Sequence, residues 1–83
     1  MKITSPQTLA VAIREQRKKI RLTQKDTADR VGMKQSTVSG FENNPEKSKL
    51  ETLFKLLSAL DLELQVTERN ASKKSGNGWA REW

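Results

Sequence analysis

Eighty-three residues make one small domain, of a size that buries only about 60% of its unfolded surface. With 34% hydrophobic residues, part of the chain is expected to stay outside the core or to lean on a second subunit. The absence of cysteine and histidine excludes disulfides, thiolate metal sites and imidazole bases, so no enzyme, cofactor or small-molecule substrate is expected, whereas 16 Lys+Arg against 10 Asp+Glu point to a polyanionic partner.

Ser5-Pro6 reads as a helix start, since Ser accepts from free N–H groups and Pro has none to lose. A first amphipathic helix over roughly 6–21 follows, with Leu9, Ala12, Ile13 and Ile20 inward and Arg14, Arg17, Lys18 and Arg21 on the remaining surface. Thr23-Gln24-Lys25-Asp26 has the form of a capping box with Asp in place of Glu, so a second helix begins there and turns Ala28 and Val31 inward. Gly32 ends it, because glycine adopts the left-handed conformation that closes a helix. A third helix, Gln35 to about Glu42, presents Val38 and Phe41 three apart, and Asn43-Asn44-Pro45-Glu46-Lys47 reads as a loop. Residues 14–34 carry eight basic against three acidic side chains, whereas residues 35–69 carry four against six. A basic block beside an acidic half marks a phosphate-binding face, the plainer alternative being a solubilising surface.

Ser48-Lys49-Leu50-Glu51 is a full capping box, and Leu50, Leu53, Phe54, Leu56, Leu57 and Leu60 make the fourth helix the core's main supplier. The period then changes to two. Leu62, Leu64 and Val66 alternate with polar residues as in a strand over 62–67, a reading favoured over a helix continued through Leu64. A lone strand needs a partner, and the same segment of a second subunit supplies one, so these three residues are expected to carry dimerisation. The domain is expected over 1–69, with the polar stretch 70–83 a disordered tail in which Trp79 and Trp83 stand out. Neither a membrane-spanning run nor a signal-peptide stretch is visible, so a soluble, cytoplasmic, nucleoid-associated protein is expected.

Two short helices about a glycine form a helix-turn-helix over 23–42, whose second helix enters the major groove. Its early residues face base edges, and a Gln there pairs with adenine at two atoms, worth about 1–3 kcal/mol of discrimination. Gln35 is therefore the main expected base reader, with Lys34, Ser36 and Ser39 beside it. Thr23, Thr37 and Lys19 are expected at phosphates. The stretch TQKDTADRVGMKQSTVSGFE resembles the phage-repressor-like (Xre or Cro/C1) family at Gln24, Ala28, Val31, Gly32, Val38 and Phe41. That resemblance implies that Gln24 braces the recognition Gln and touches a phosphate. The chain departs from the family at Thr27, where Leu is usual.

Over nearly its whole length the sequence is similar to the HipB-type antitoxins. Lys34-Gln35, Thr37, Ser39, the phrase Phe41-Glu42-Asn43-Asn44-Pro45, the leucine-rich helix, the single strand and the final Glu82-Trp83 carry the likeness. It implies a mainly α fold of four to five helices, with one C-terminal strand pairing across a homodimer. It also implies a repressor of its own operon, bound to double-stranded operator DNA and to a HipA-type Ser/Thr kinase toxin that receives Trp83. Trp79 has no counterpart role. The alternatives are a stand-alone repressor and an adaptor whose helix-turn-helix no longer binds DNA; the basic block and Gln35 speak against the second, the two tryptophans against the first.

Overall fold

The computed structural model describes residues 2–69. Among these described residues four α-helices follow one another, α1 (Pro6–Lys19), α2 (Gln24–Arg30), α3 (Gln35–Asn43) and α4 (Leu50–Ala59), with a 3₁₀ turn at Pro45–Lys47. Ala10 and Ile13 of α1, Ala28 of α2, Val38 and Phe41 of α3, and Leu53, Leu56, Leu57 and Leu60 of and just after α4 form one buried cluster. Each fully buried aliphatic side chain of this kind contributes about 1.5–3 kcal/mol by leaving water.

Local chemistry sets where the helices begin. The Ser5 hydroxyl accepts from the Thr8 N–H at 3.1 Å, with Pro6 at the first helical position. Thr23 and Asp26 close the expected capping box from both sides: Thr23 Oγ1 accepts from the Asp26 N–H at 2.9 Å, and Asp26 Oδ2 accepts from the Thr23 N–H at 3.1 Å. The box expected at Ser48 does not form. Ser48 instead closes the 3₁₀ turn, its N–H donating to the Pro45 carbonyl at 3.1 Å, so α4 starts one residue later from Lys49 without a side-chain cap.

Three helices end in the same way. After α1, the Leu22 N–H reaches back to the Arg17 carbonyl at 2.9 Å; after α2, Met33 does so to Ala28 at 2.9 Å; after α4, Leu62 to Leu57 at 2.9 Å. Each reversal passes through one left-handed residue, Arg21 at φ 61°, Gly32 at φ 66° and Asp61 at φ 58°. The apolar residue that follows, Leu22, Met33 or Leu62, folds back against the core. Only Gly32 announces this in the sequence. At α4 the last carbonyls gain two further donors, Gln16 Nε2 to Leu60 at 3.1 Å and Arg30 Nη1 to Ala59 at 2.9 Å, which fasten α1 and α2 to its end.

Several inward assignments change. Ala10, not Ala12, completes the buried face of α1, and Arg17 lies on that face rather than on the surface. Leu50 and Phe54 are 72% and 53% exposed, because Leu53, Leu56, Leu57 and Leu60 already occupy the one face of α4 that meets the bundle. Val31 is half-buried as the C-cap of α2. Thr27, where the family usually has Leu, is fully buried, and its hydroxyl donates to the Thr23 carbonyl at 3.0 Å, so the polar group is satisfied within its own helix turn.

Asp61 turns the chain out of the helix, which rules out a helix running through Leu64. Residues 62–68 form no ladder with any described residue, so the strand expected at 62–67 is not seen in the single chain, where no second segment offers it a partner. Leu62 is half-buried on its own subunit's core, whereas Leu64 and Val66 are 47% and 83% exposed. Trp79, Trp83 and the tail at 70–83 lie outside the described residues. Among the described residues no helix is long and apolar enough to cross a membrane.

Candidate nucleic-acid interface

Helix α3 is amphipathic along its whole length. Val38 and Phe41 face the core, while Gln35, Ser36, Gly40 and Asn43 are exposed and Ser39 is half-buried, so the 3.6-residue period gathers these five on the outer side. Gln35, Ser36 and Ser39 thus share one polar face, as the sequence leads one to expect. Lys34 is exposed at the N-cap with no side-chain cap bond, its ammonium free of the helix it precedes. The Ser39 hydroxyl lies 3.2 Å from Asn43 Nδ2, which donates to it, and the hydroxyl proton has no partner among the described residues. Thr37 sits on the flank of the helix, half-buried.

Helix α2 meets α3 through the four-residue turn 31–34, with Gly32 in the left-handed region. Thr23 is exposed at the start of α2, where its side-chain oxygen caps the helix. The Asp26 carboxyl is held below its ordinary range chiefly by the Thr23 backbone N–H, then by the Thr23 hydroxyl and the nearby charges of Lys25 and Arg30. Lys19 ends α1 exposed beside Lys18 and Arg21, and none of the three, nor Lys34, has an ion-pair partner among the described residues. Lys25 by contrast pairs with Asp29 at 3.0 Å on the open surface, which lowers the free charge of the block.

Behind this face lies a feature that the sequence reading missed. Arg17 and Glu42 form a two-pronged ion pair, Nε to Oε2 at 2.7 Å and Nη2 to Oε1 at 3.0 Å, with side chains only 11% and 4% exposed. A third guanidinium bond runs from Nη1 to the Leu22 carbonyl at 3.0 Å. Gln24 joins the cluster, its Nε2 donating to Glu42 Oε1 at 3.1 Å. Burial pushes the Glu42 carboxyl up, but the hydrogen bonds from Arg17 and Gln24 and the charges of Arg17 and Arg14 together outweigh it and hold the group below its ordinary range. One signal was present in the sequence: Arg17 falls four residues after Ile13 and three before Ile20, on the apolar stripe, where a cation requires a buried anion. Gln24 is therefore bonded to Glu42, and no bond between it and Gln35 exists among the described residues.

Two short helices about a left-handed glycine, the second with a polar outer face flanked by free cations, define a helix-turn-helix DNA-reading unit. A helix-turn-helix family profile matches residues 13–66. Antitoxin HipB of Escherichia coli strain K12 is 41% identical over 83 residues, which span 99% of this chain and 94% of that protein. The structure overlays on the chain of a solved HipA-HipB-O2-O3 complex with a TM-score of 0.82 at 40% identity, covering 84% of this chain and 99% of that one. A HipB-O4 20mer complex gives the same TM-score, 0.82, with the same identity and coverage, 40%, 84% and 99%. The chain belongs to the helix-turn-helix family and, within it, to the HipB-type antitoxins.

Proposed function

We propose that this chain is a sequence-specific DNA-binding repressor that acts as the antitoxin of a type II toxin-antitoxin pair, repressing its own operon and binding a HipA-type Ser/Thr kinase toxin. The observation that carries this reading is likeness to Antitoxin HipB at 41% identity across 99% of the chain, together with the polar outer face of α3. The solved relatives join HipB to HipA in one complex and to a 20mer in another, which supports the same two partners here.

In this reading α3 lies in the major groove. Gln35 reads adenine at two atoms, Ser36 and Ser39 bond base edges, and Lys34 reaches a guanine or the phosphate beside it. Thr23, Gln24, Thr37 and Lys19 hold phosphates, which fix register and add no sequence information. The protein works as a homodimer. Leu64 and Val66, exposed on a segment without a ladder partner, pair with the same residues of a second copy, and Leu62 ties that strand to the core. The domain ends near residue 69, and Trp83 at the end of the tail enters the toxin. The role is non-enzymatic and cytoplasmic.

Co-expression with a HipA-type kinase encoded in the same genome tests the proposal. The full chain is expected to co-purify with it, and a chain ending at residue 69 to lose most of that capture while still binding DNA. Failure of the full chain to retain the kinase contradicts the antitoxin reading and leaves a stand-alone repressor.

A further inference from the structure

The Gln24 amide has two ends of opposite character, and its partner decides which end points inward. An ionised carboxylate only accepts hydrogen bonds, so the group facing Glu42 Oε1 at 3.1 Å must be the Gln24 NH₂ and not its carbonyl. The carboxylate cannot turn to relax this choice, because Arg17 grips both of its oxygens, at 2.7 and 3.0 Å. Gln24 Oε1 has no partner among the described residues, yet no side-chain oxygen or nitrogen among them is buried without one. Its carbonyl is therefore presented to solvent, and its second N–H has no partner among the described residues, at the first residue of α2, beside the N-terminus of the helix-turn-helix.

We infer that Glu42 is a positioning residue for DNA binding, which acts by locking the Gln24 amide in one orientation with its carbonyl outward and one N–H uncommitted. A glutamine free to rotate at the surface offers donor and acceptor interchangeably and gives up side-chain entropy when it binds. Held by Glu42, Gln24 offers one donor for a phosphate oxygen and one acceptor for a donor group on the recognition side, with that entropy already spent during folding. The buried pair Arg17–Glu42 thereby links α1 and α3 to a side chain at the DNA-facing end of α2. This rests on the DNA-binding reading above.

A double-mutant cycle tests it in the full chain, with a duplex from the promoter upstream of the chain's own gene and a shuffled duplex of equal length, at fixed salt and corrected for the folded fraction by circular dichroism. Gln24→Met and Glu42→Gln are each expected to weaken promoter binding about three- to tenfold, the worth of one hydrogen bond. The double variant is expected to lose no more than Gln24→Met alone. If Glu42→Gln costs the same whether or not Gln24→Met is already present, the inference is overturned, because Glu42 then acts through the fold at large. Side-chain amide NMR of the unaltered protein decides the orientation independently of any variant. One Gln24 Nε2 proton is expected to be shifted and slowed in exchange, and a pair exchanging like that of exposed Gln35 overturns the lock. If the unaltered chain does not prefer the promoter duplex, the DNA-binding reading fails, while the NMR result still stands or falls alone.

Discussion

Arg17 of α1 and Glu42 of α3 meet at 2.7 Å in a buried, two-pronged ion pair that joins the helix preceding the helix-turn-helix to the end of its recognition helix. Both charges are almost fully removed from water, so neither tolerates loss of the other. Arg17→Ala and Glu42→Ala are each expected to cost about 3–5 kcal/mol, because a lone buried charge remains. Replacing both together, Arg17→Met with Glu42→Leu, is expected to recover most of that. Urea denaturation of the three variants checks the order.

The same carboxyl gives the fold an acid limit. Glu42 is held below the ordinary glutamate value of 4.5, so near that pH the unfolded chain binds more protons than the folded one. This stabilisation is complete above about pH 4.5 and is lost as the pH falls through the lower folded value. Asp26 acts with the same sign, but at the surface, where solvent and salt weaken it. Urea midpoints between pH 7 and 3 are expected to stay level, then fall, and to fall less steeply in Glu42→Gln.

The left-handed residues that end α1, α2 and α4 separate by type. Gly32→Ala is expected to destabilise by roughly 1–2 kcal/mol from its φ of 66° alone, since the added Cβ meets nothing within 4 Å. Arg21→Gly is expected to stabilise by up to about 1 kcal/mol, and Asp61→Gly by less, Asp being the better tolerated of the two at positive φ. Gly40 is the counter-case: it lies inside α3 with open space around it and no positive φ, so Gly40→Ala is expected to stabilise by about 0.5–1 kcal/mol. Thermal melts of the four variants read these shifts.

Much of this was legible in the residues. Ser5-Pro6, the Thr23–Asp26 box, Gly32 and the polar face of α3 are local patterns of capping, glycine conformation and period, and they appear where the sequence puts them. What was not legible is long-range or contrary to type. Arg17 looked like surface because arginine usually is, and its partner lies 25 residues away. Arg21 and Asp61 take a conformation that their side chains do not advertise. Ser48 fits a capping box, but the preceding proline draws it into a 3₁₀ turn first. Leu50 and Phe54 share a helix with the core leucines but not their face.

Base reading and phosphate holding have different signatures at the candidate interface. Gln35→Ala is expected to cost about 1–3 kcal/mol on the promoter duplex and little on shuffled DNA. Lys19→Ala is expected to weaken both alike and to flatten the log–log salt slope by up to about one unit. Fluorescence anisotropy on both duplexes at several salt concentrations separates them. Equal losses for Gln35→Ala on the two duplexes remove it as a base reader.

The most direct test of the central claim is a salt-controlled titration of the purified full chain against its own promoter duplex and a shuffled duplex. A DNA-reading repressor is expected to bind the promoter at least about a thousandfold more tightly, as a dimer, with affinity falling steeply as salt rises. Equal affinity for the two duplexes, or no binding at low salt, contradicts the account.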